Sequence, residues 1–183
     1  MGDIWLITGP PAVGKSTLVS RVVLRLKSRG MIIGGCTTAE KRLGGVRVGF
    51  EVKDLTNGTK GELATTTGKL GPRVGKYRVN LADLAAFGAK GLSDAADHSE
   101  LIVIDEIGPM ELVSPDFRRA VRKCIESGKP ILAVVHERLE DDLLTEFRAK
   151  AKEVVELDTN NRDEVADVLL DEIASGIKLP KSS

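Results

Sequence analysis

Hydrophobic positions along this chain follow two rhythms. Short continuous apolar runs, Ile4 to Ile7, Leu101 to Ile104 and Ile131 to Val135, are separated by longer stretches in which apolar residues return every three or four positions. A continuous run of that length suits a strand buried on both faces of a parallel sheet, whereas the longer spacing is that of a helix with one buried stripe. Leu18, Val22, Val23 and Leu26 place a helix from about Lys15 to Arg29, with Gly30 at the left-handed position that ends it. Met31 to Thr38 reads as a second strand. Gly44-Gly45 before the alternating Val46, Val48, Phe50 and Val52 predicts a hairpin with an apolar inner face. Thr56-Asn57-Gly58 then marks a turn, and Glu62 to Thr66 a short strand. Residues of about 42–67 therefore form a β insertion beside the main sheet.

Gly68 to Asn80, rich in Gly, Lys and Arg and weakly patterned, predicts a mobile loop near the site. Leu81 to about Asp97 reads as a helix capped by Asn80, with Gly88 and Gly91 as weak points. Further helices are predicted from Ser114 or Asp116 to about Gly128, from about Leu139 to Ala151, and after Arg162 to about Ser175; Val154 to Leu157 is a last strand. Strands alternating with helices define an α/β fold of three layers around a mostly parallel sheet. The expected organisation is one domain over residues 1–180, with Lys181-Ser182-Ser183 fraying.

Length and charge narrow the function. A chain of 183 residues fits one domain. Its formal net charge of +0 argues against a broad nucleic-acid or anionic-lipid footprint, though not against a local basic patch. No apolar stretch is long enough to span a membrane and no signal segment precedes the first strand, so a cytoplasmic protein without a membrane partner is expected. Cys36 and Cys124 lie far apart with no metal-binding or redox spacing.

Chemistry concentrates at the ends of the apolar runs. Gly9-Pro10-Pro11-Ala12-Val13-Gly14-Lys15-Ser16-Thr17 fits G-x-x-x-x-G-K-S/T between a strand and a helix, the order a phosphate-binding P-loop requires. Backbone N–H groups of that loop and the helix N-terminus suit a triphosphate. Lys15 adds charge for the β- and γ-phosphates, and Ser16 a hydroxyl for Mg²⁺. Asp105, at the carboxyl end of a buried strand, is the second expected Mg²⁺ ligand, and Glu106 beside it is placed to take a proton from water. Arg42, Arg47, Arg73, Arg78 and Arg138 are candidates to neutralise transition-state charge. Thr159-Asn160-Asn161-Arg162 occupies a position suited to base contacts, Asn161 through its amide and Arg162 through its plane, with a helix N-cap as the other reading of Asn161. The N-K-x-D motif of guanine-specific proteins is missing.

Beyond the P-loop, several stretches resemble the small archaeal and bacterial nucleoside-triphosphatase family related to the animal cancer-related nucleoside triphosphatase. They are Thr38 to Arg42 with Gly45, Arg47, Gly49 and Phe50; Val74-Gly75-Lys76-Tyr77 with Val79; Asp105-Glu106-Ile107-Gly108-Pro109-Met110-Glu111-Leu112; and Asn161-Arg162. The resemblance implies a RecA-like core of order 5-1-4-3-2, counting core strands along the chain. It also implies Mg²⁺-dependent hydrolysis of nucleoside triphosphates with loose base choice. In the additional-strand, catalytic-glutamate class that this resembles, the polar residue ending the fourth core strand, here His136, senses the γ-phosphate. Ala12 departs from the family's glycine, and Lys41 stands where an aliphatic residue is expected before Arg42. Two other activities share these motifs. One is a small-molecule or nucleotide kinase using residues 68–78 as an acceptor lid. The other is a nucleotide switch activated by a partner.

Overall fold

A computed structural model describes residues 2–177; the predicted frayed tail lies outside them. In chain order the elements are β1 (Ile4–Thr8), α1 (Lys15–Ser28), β2 (Ile33–Leu43), β3 (Val46–Asp54), β4 (Lys60–Thr65), β5 (Arg73–Val74) and β6 (Tyr77–Val79). A composite helix follows: α2 (Leu81–Asp83), a π-helical segment (Leu84–Ala89) and α3 (Lys90–His98). The remainder is β7 (Leu101–Ile107), α4 (Pro109–Leu112), α5 (Pro115–Glu126), β8 (Ile131–Val135), α6 (Asp142–Lys150), β9 (Glu153–Glu156) and α7 (Arg162–Gly176).

Among the described residues the strands form one sheet of order β5-β6-β4-β3-β2-β7-β8-β1-β9. From β2 to β9 the pairings are parallel, and the part from β2 to β5 is antiparallel. Successive side chains of the central strands face opposite layers, which is why those strands read as unbroken apolar runs. Ile4, Leu6, Ile102 and Ile104 pack with Phe117, Cys124 and Phe147 under α3, α5 and α6. Trp5, Ile7, Leu101 and Val103 pack with Leu18, Val22, Leu26 and Leu170 under α1 and α7.

Three expectations change. Within the segment expected to be a loop, Arg73–Val74 and Tyr77–Val79 form a second small hairpin, β5–β6, which extends the sheet by pairing Ala64 with Val79 and Thr65 with Arg78. Its pattern is hard to read because two short strands meet at the Gly75-Lys76 turn, leaving alternation only two or three residues to show itself. The first hairpin is also less apolar at its tip than its spacing suggests: Val52 is fully buried, but Val46 is 61% exposed. That part of β2 and β3 runs past the parallel sheet's edge, where no helix covers it. The insertion begins within β2, which continues without a break to Leu43.

Asn80 caps the composite helix, its side chain accepting the Asp83 N–H at 3.1 Å. Gly88 and Gly91 are contact points where the helix comes down on the sheet. A β-carbon at Gly91 would lie 2.9 Å from the Gly35 carbonyl oxygen, and one at Gly88 3.3 Å from Val52.

Candidate active site

In open α/β sheets ligands bind beyond the carboxyl ends of the strands. The turn from β1 into α1 stands there. Gly9 has φ 139° and Gly14 φ 110°, both in the region that disfavours side chains, and a β-carbon on Gly9 would collide with the Leu157 carbonyl. Glycine at the first position is thus required by the neighbouring β9 end as much as by a phosphate. Ala12 also has positive φ, 62°, so alanine occupies a left-handed position without glycine's freedom. Lys15 folds back over the loop and donates to the carbonyls of Gly9 and Pro10, each at 2.8 Å. Its ammonium is thereby held at the loop's mouth.

Ser16 lies in the first turn of α1 and its hydroxyl donates to Asp105 Oδ1 at 3.2 Å. Asp105 is 2% exposed. Burial pushes its carboxyl up to about 7; the Ser16 hydrogen bond opposes this, the Glu106 charge adds to it, and Lys15 opposes it more weakly. A buried carboxylate with only a hydroxyl and a distant ammonium to offset it is short of a cation. The two oxygen donors fit Mg²⁺, which favours hard ligands and completes its shell with phosphate and water. Among the described residues no cluster of three or more His, Cys, Asp or Glu could hold a metal without other ligands.

Pairing between β7 and β8 passes from Asp105↔Val134 to Ile107↔Val135, leaving Glu106 out of register. Such a bulge re-aims a side chain. Glu106 is half-buried at the same edge as Asp105 and Ser16. After it Gly108, Pro109 and Glu111 begin α4, the Gly108 N–H donating to Glu111 Oε2 at 3.0 Å, which is the N3 half of a capping box. Glu111 is 4% exposed, and burial, with the Glu106 charge next, pushes its carboxyl up to about 8. Glu111 had no role from sequence beyond its place in the resemblance. The legible signal is glycine, proline and then glutamate two positions on, the order of a capped helix start.

His136 follows β8 at this edge, its N–H donating to the Ile107 carbonyl at 3.1 Å. Its Nδ1 accepts the Arg138 N–H at 3.3 Å, which assigns the proton of the neutral ring to Nε2. Arg148 donates to the His136 carbonyl at 2.8 Å, a support that sequence reasoning did not find.

Arg42 is held within the first hairpin. It lies on β2 beyond Thr37, the residue level with Asp105, and donates to Glu40 at 2.9 Å and to the Gly45 carbonyl at 2.9 Å. Arg47 pairs with the same carboxylate. Burial raises the Glu40 carboxyl, but Arg42 and Arg47 outweigh it and hold it below the usual range. Both arginines are therefore engaged in the hairpin. Arg78 donates to Gly71, and Arg138 is beside Glu137.

Asn161 stands at the N-cap position of α7 without a side-chain cap. Its Nδ2 donates to the Glu156 carbonyl at 2.9 Å and its Oδ1 accepts the Asp158 N–H at 2.9 Å. The side chain thus braces the loop after β9 and does not cap α7. Arg162 does reach the site: its Nη1 lies 3.9 Å from where a β-carbon on Gly14 would be. With Gly14, Thr17, Leu18, Arg21, Asp163 and Ala166 it lines a cleft of about 290 Å³. A larger hollow of about 390 Å³ between α3 and α5 contains none of the expected site residues.

A phosphate loop with a hydroxyl–carboxylate pair at the edge of an α/β sheet defines the class, a P-loop nucleotide-binding protein. Comparison with known proteins narrows it. A family model described as NTPase matches residues 5–170. The chain is 48% identical over 160 residues to nucleoside-triphosphatase THEP1 of Methanosarcina acetivorans, covering 87% of this chain and 90% of that one. It is 40% identical over 175 residues to nucleoside-triphosphatase THEP1 of Thermococcus kodakarensis, covering 94% of each. The crystal structure of THEP1 from Aquifex aeolicus matches with TM-score 0.83 at 31% identity, over 93% of this chain and 99% of that one. The solution structure of a human cancer-related nucleoside triphosphatase matches with TM-score 0.78 at 35% identity, over 97% and 100%. The chain belongs to the NTPase family, whose members similar to it are nucleoside-triphosphatase enzymes.

Proposed function

We propose that this chain hydrolyses nucleoside 5'-triphosphates to diphosphate and phosphate, with Mg²⁺ and loose base choice, using a water activated by Glu106. The observation that carries the reading is the bond from Ser16 to the buried Asp105 with Glu106 set out of register beside them. Gly9 to Thr17 surround the phosphates, and Lys15 leaves the Gly9 and Pro10 carbonyls for the β- and γ-phosphate oxygens. Ser16 and Asp105 would hold Mg²⁺, which supplies charge to offset that of the phosphates. Glu106 takes a proton from water as the water oxygen bonds to the γ-phosphorus, and the bond to the β,γ-bridging oxygen breaks. His136 offers its Nε2–H to the γ-phosphoryl oxygens. Arg162 supplies a plane that stacks on any base, and the missing N-K-x-D motif leaves guanine unselected. The reaction suits a cytoplasmic enzyme; no described helix is long and apolar enough to cross a membrane.

The second half of the segment a kinase would use as an acceptor lid, Arg73–Val74 and Tyr77–Val79, is paired into the sheet as β5–β6, which favours water over a second substrate as the acceptor. Phosphate release from ATP, GTP, CTP and UTP, with no acceptor present, tests the reading. Release from all four that stops on chelation of Mg²⁺ supports it; absence of release with any of them rejects it.

A further inference from the structure

Glu111 is a buried acid beside the site for which the proposed hydrolysis has no use. Its Oε2 holds the Gly108 N–H at 3.0 Å, a bond that a glutamine oxygen could make as well. Gly108 lies between Glu111 and Glu106. A β-carbon at Gly108 would stand 2.9 Å from Glu106 Oε1 and 3.2 Å from Glu111 Oε2, so the two carboxyl oxygens are no more than about 6 Å apart. Gly108 has φ −132°, which any residue adopts. Glycine is therefore there to make room, and the room is occupied by the Glu106 carboxylate. No described residue donates a hydrogen bond to that carboxylate, so its direction depends on the walls around it. Glu111 pins the Gly108 backbone, the floor against which the Glu106 carboxylate lies.

We propose that Glu111 is the positioning residue for Glu106, fixing Gly108 so that the Glu106 carboxylate stays at the phosphate edge. The role rests on Glu106 being the base, and Glu111 itself touches neither water nor phosphate.

The test is a pair of double-mutant cycles measuring kcat and KM for ATP, with thermal unfolding as a fold control. Glu111→Leu removes the backbone acceptor; Glu111→Gln retains it. Gly108→Ala crowds Glu106 from the same side, and the atom it meets is the far end of a flexible side chain, so the fold tolerates it. Glu111→Leu and Gly108→Ala are expected to lower kcat by about 10-fold or more with KM within about threefold, while Glu111→Gln stays within about threefold of wild type. In the Glu106→Gln background the same changes should cost less than about twofold, because no aimed base remains to be lost. Equal losses in both backgrounds, or full kcat in Glu111→Leu, would overturn the proposal. If Glu111→Leu does not fold, Glu111→Met, which keeps a flexible chain of similar length but also lacks the backbone acceptor, is put through the same cycle and decides by the same criterion. If Glu106→Gln alone leaves kcat within a few-fold, the base assignment falls and the positioning role falls with it.

Discussion

Ser16 Oγ and Asp105 Oδ1 meet at 3.2 Å, joining the first turn of α1 to the end of β7 across the mouth of the phosphate loop. The contact couples two segments far apart in the chain, and it leaves a carboxyl with little solvent, which burial pushes up to about 7.

A pH dependence of stability follows. Asp105 is pushed up to about 7 and Glu111 to about 8. Above about pH 4 the unfolded chain releases these protons while the folded chain keeps them, so the folded state binds more protons and loses stability as pH rises. The loss builds from about pH 4 and levels off above about pH 8, by at most about 1.4 kcal/mol per pH unit for each group. Thermal unfolding of the metal-free protein at pH 6 and pH 8 should give the lower Tm at pH 8. Glu111→Gln and Asp105→Asn should each flatten that slope, and Asp105→Asn should also abolish hydrolysis. An unchanged slope in both variants would mean that neither carboxyl is perturbed as described.

Ala12 at φ 62° carries a backbone penalty that glycine would not. Offset by glycine's greater freedom in the unfolded chain, Ala12→Gly should stabilise the protein by about 0.5–1 kcal/mol, seen as a Tm rise of about 1–4 °C. A lower Tm for this variant would show that Ala12 makes contacts worth more than its conformational cost.

Arg162 is the charged plane beside Gly14. Arg162→Ala should raise KM by about tenfold for all four nucleotides with kcat within a few-fold, the signature of lost uniform binding. A rise confined to one nucleotide would instead make Arg162 a specificity determinant, and no change in KM would reduce it to a helix-start residue.

Much of this was legible because period and chemistry coincide in the chain. Ile4 to Ile7, Leu101 to Ile104 and Ile131 to Val135 are buried on both sides, and burial on both sides writes an unbroken apolar run. The phosphate loop is local, so its glycines and its lysine could be read at sight. What escaped depends on contacts between distant residues. Arg42 looks like a free arginine until Glu40 and the Gly45 carbonyl engage it, and Asn161 looks free until Glu156 and Asp158 do. The β5–β6 hairpin is too short for a period, and the Gly108 floor that Glu111 pins beneath Glu106 exists only once the fold brings the two acids together.

The most direct test of the account is the rate of phosphate release by Glu106→Gln with saturating ATP and Mg²⁺, together with ATP affinity measured under the same conditions. Removing a general base should lower kcat by about 10² or more while leaving ATP affinity within a few-fold. A variant that still hydrolyses ATP within a few-fold of the wild-type rate would contradict the role given to Glu106 and require another group to activate the water.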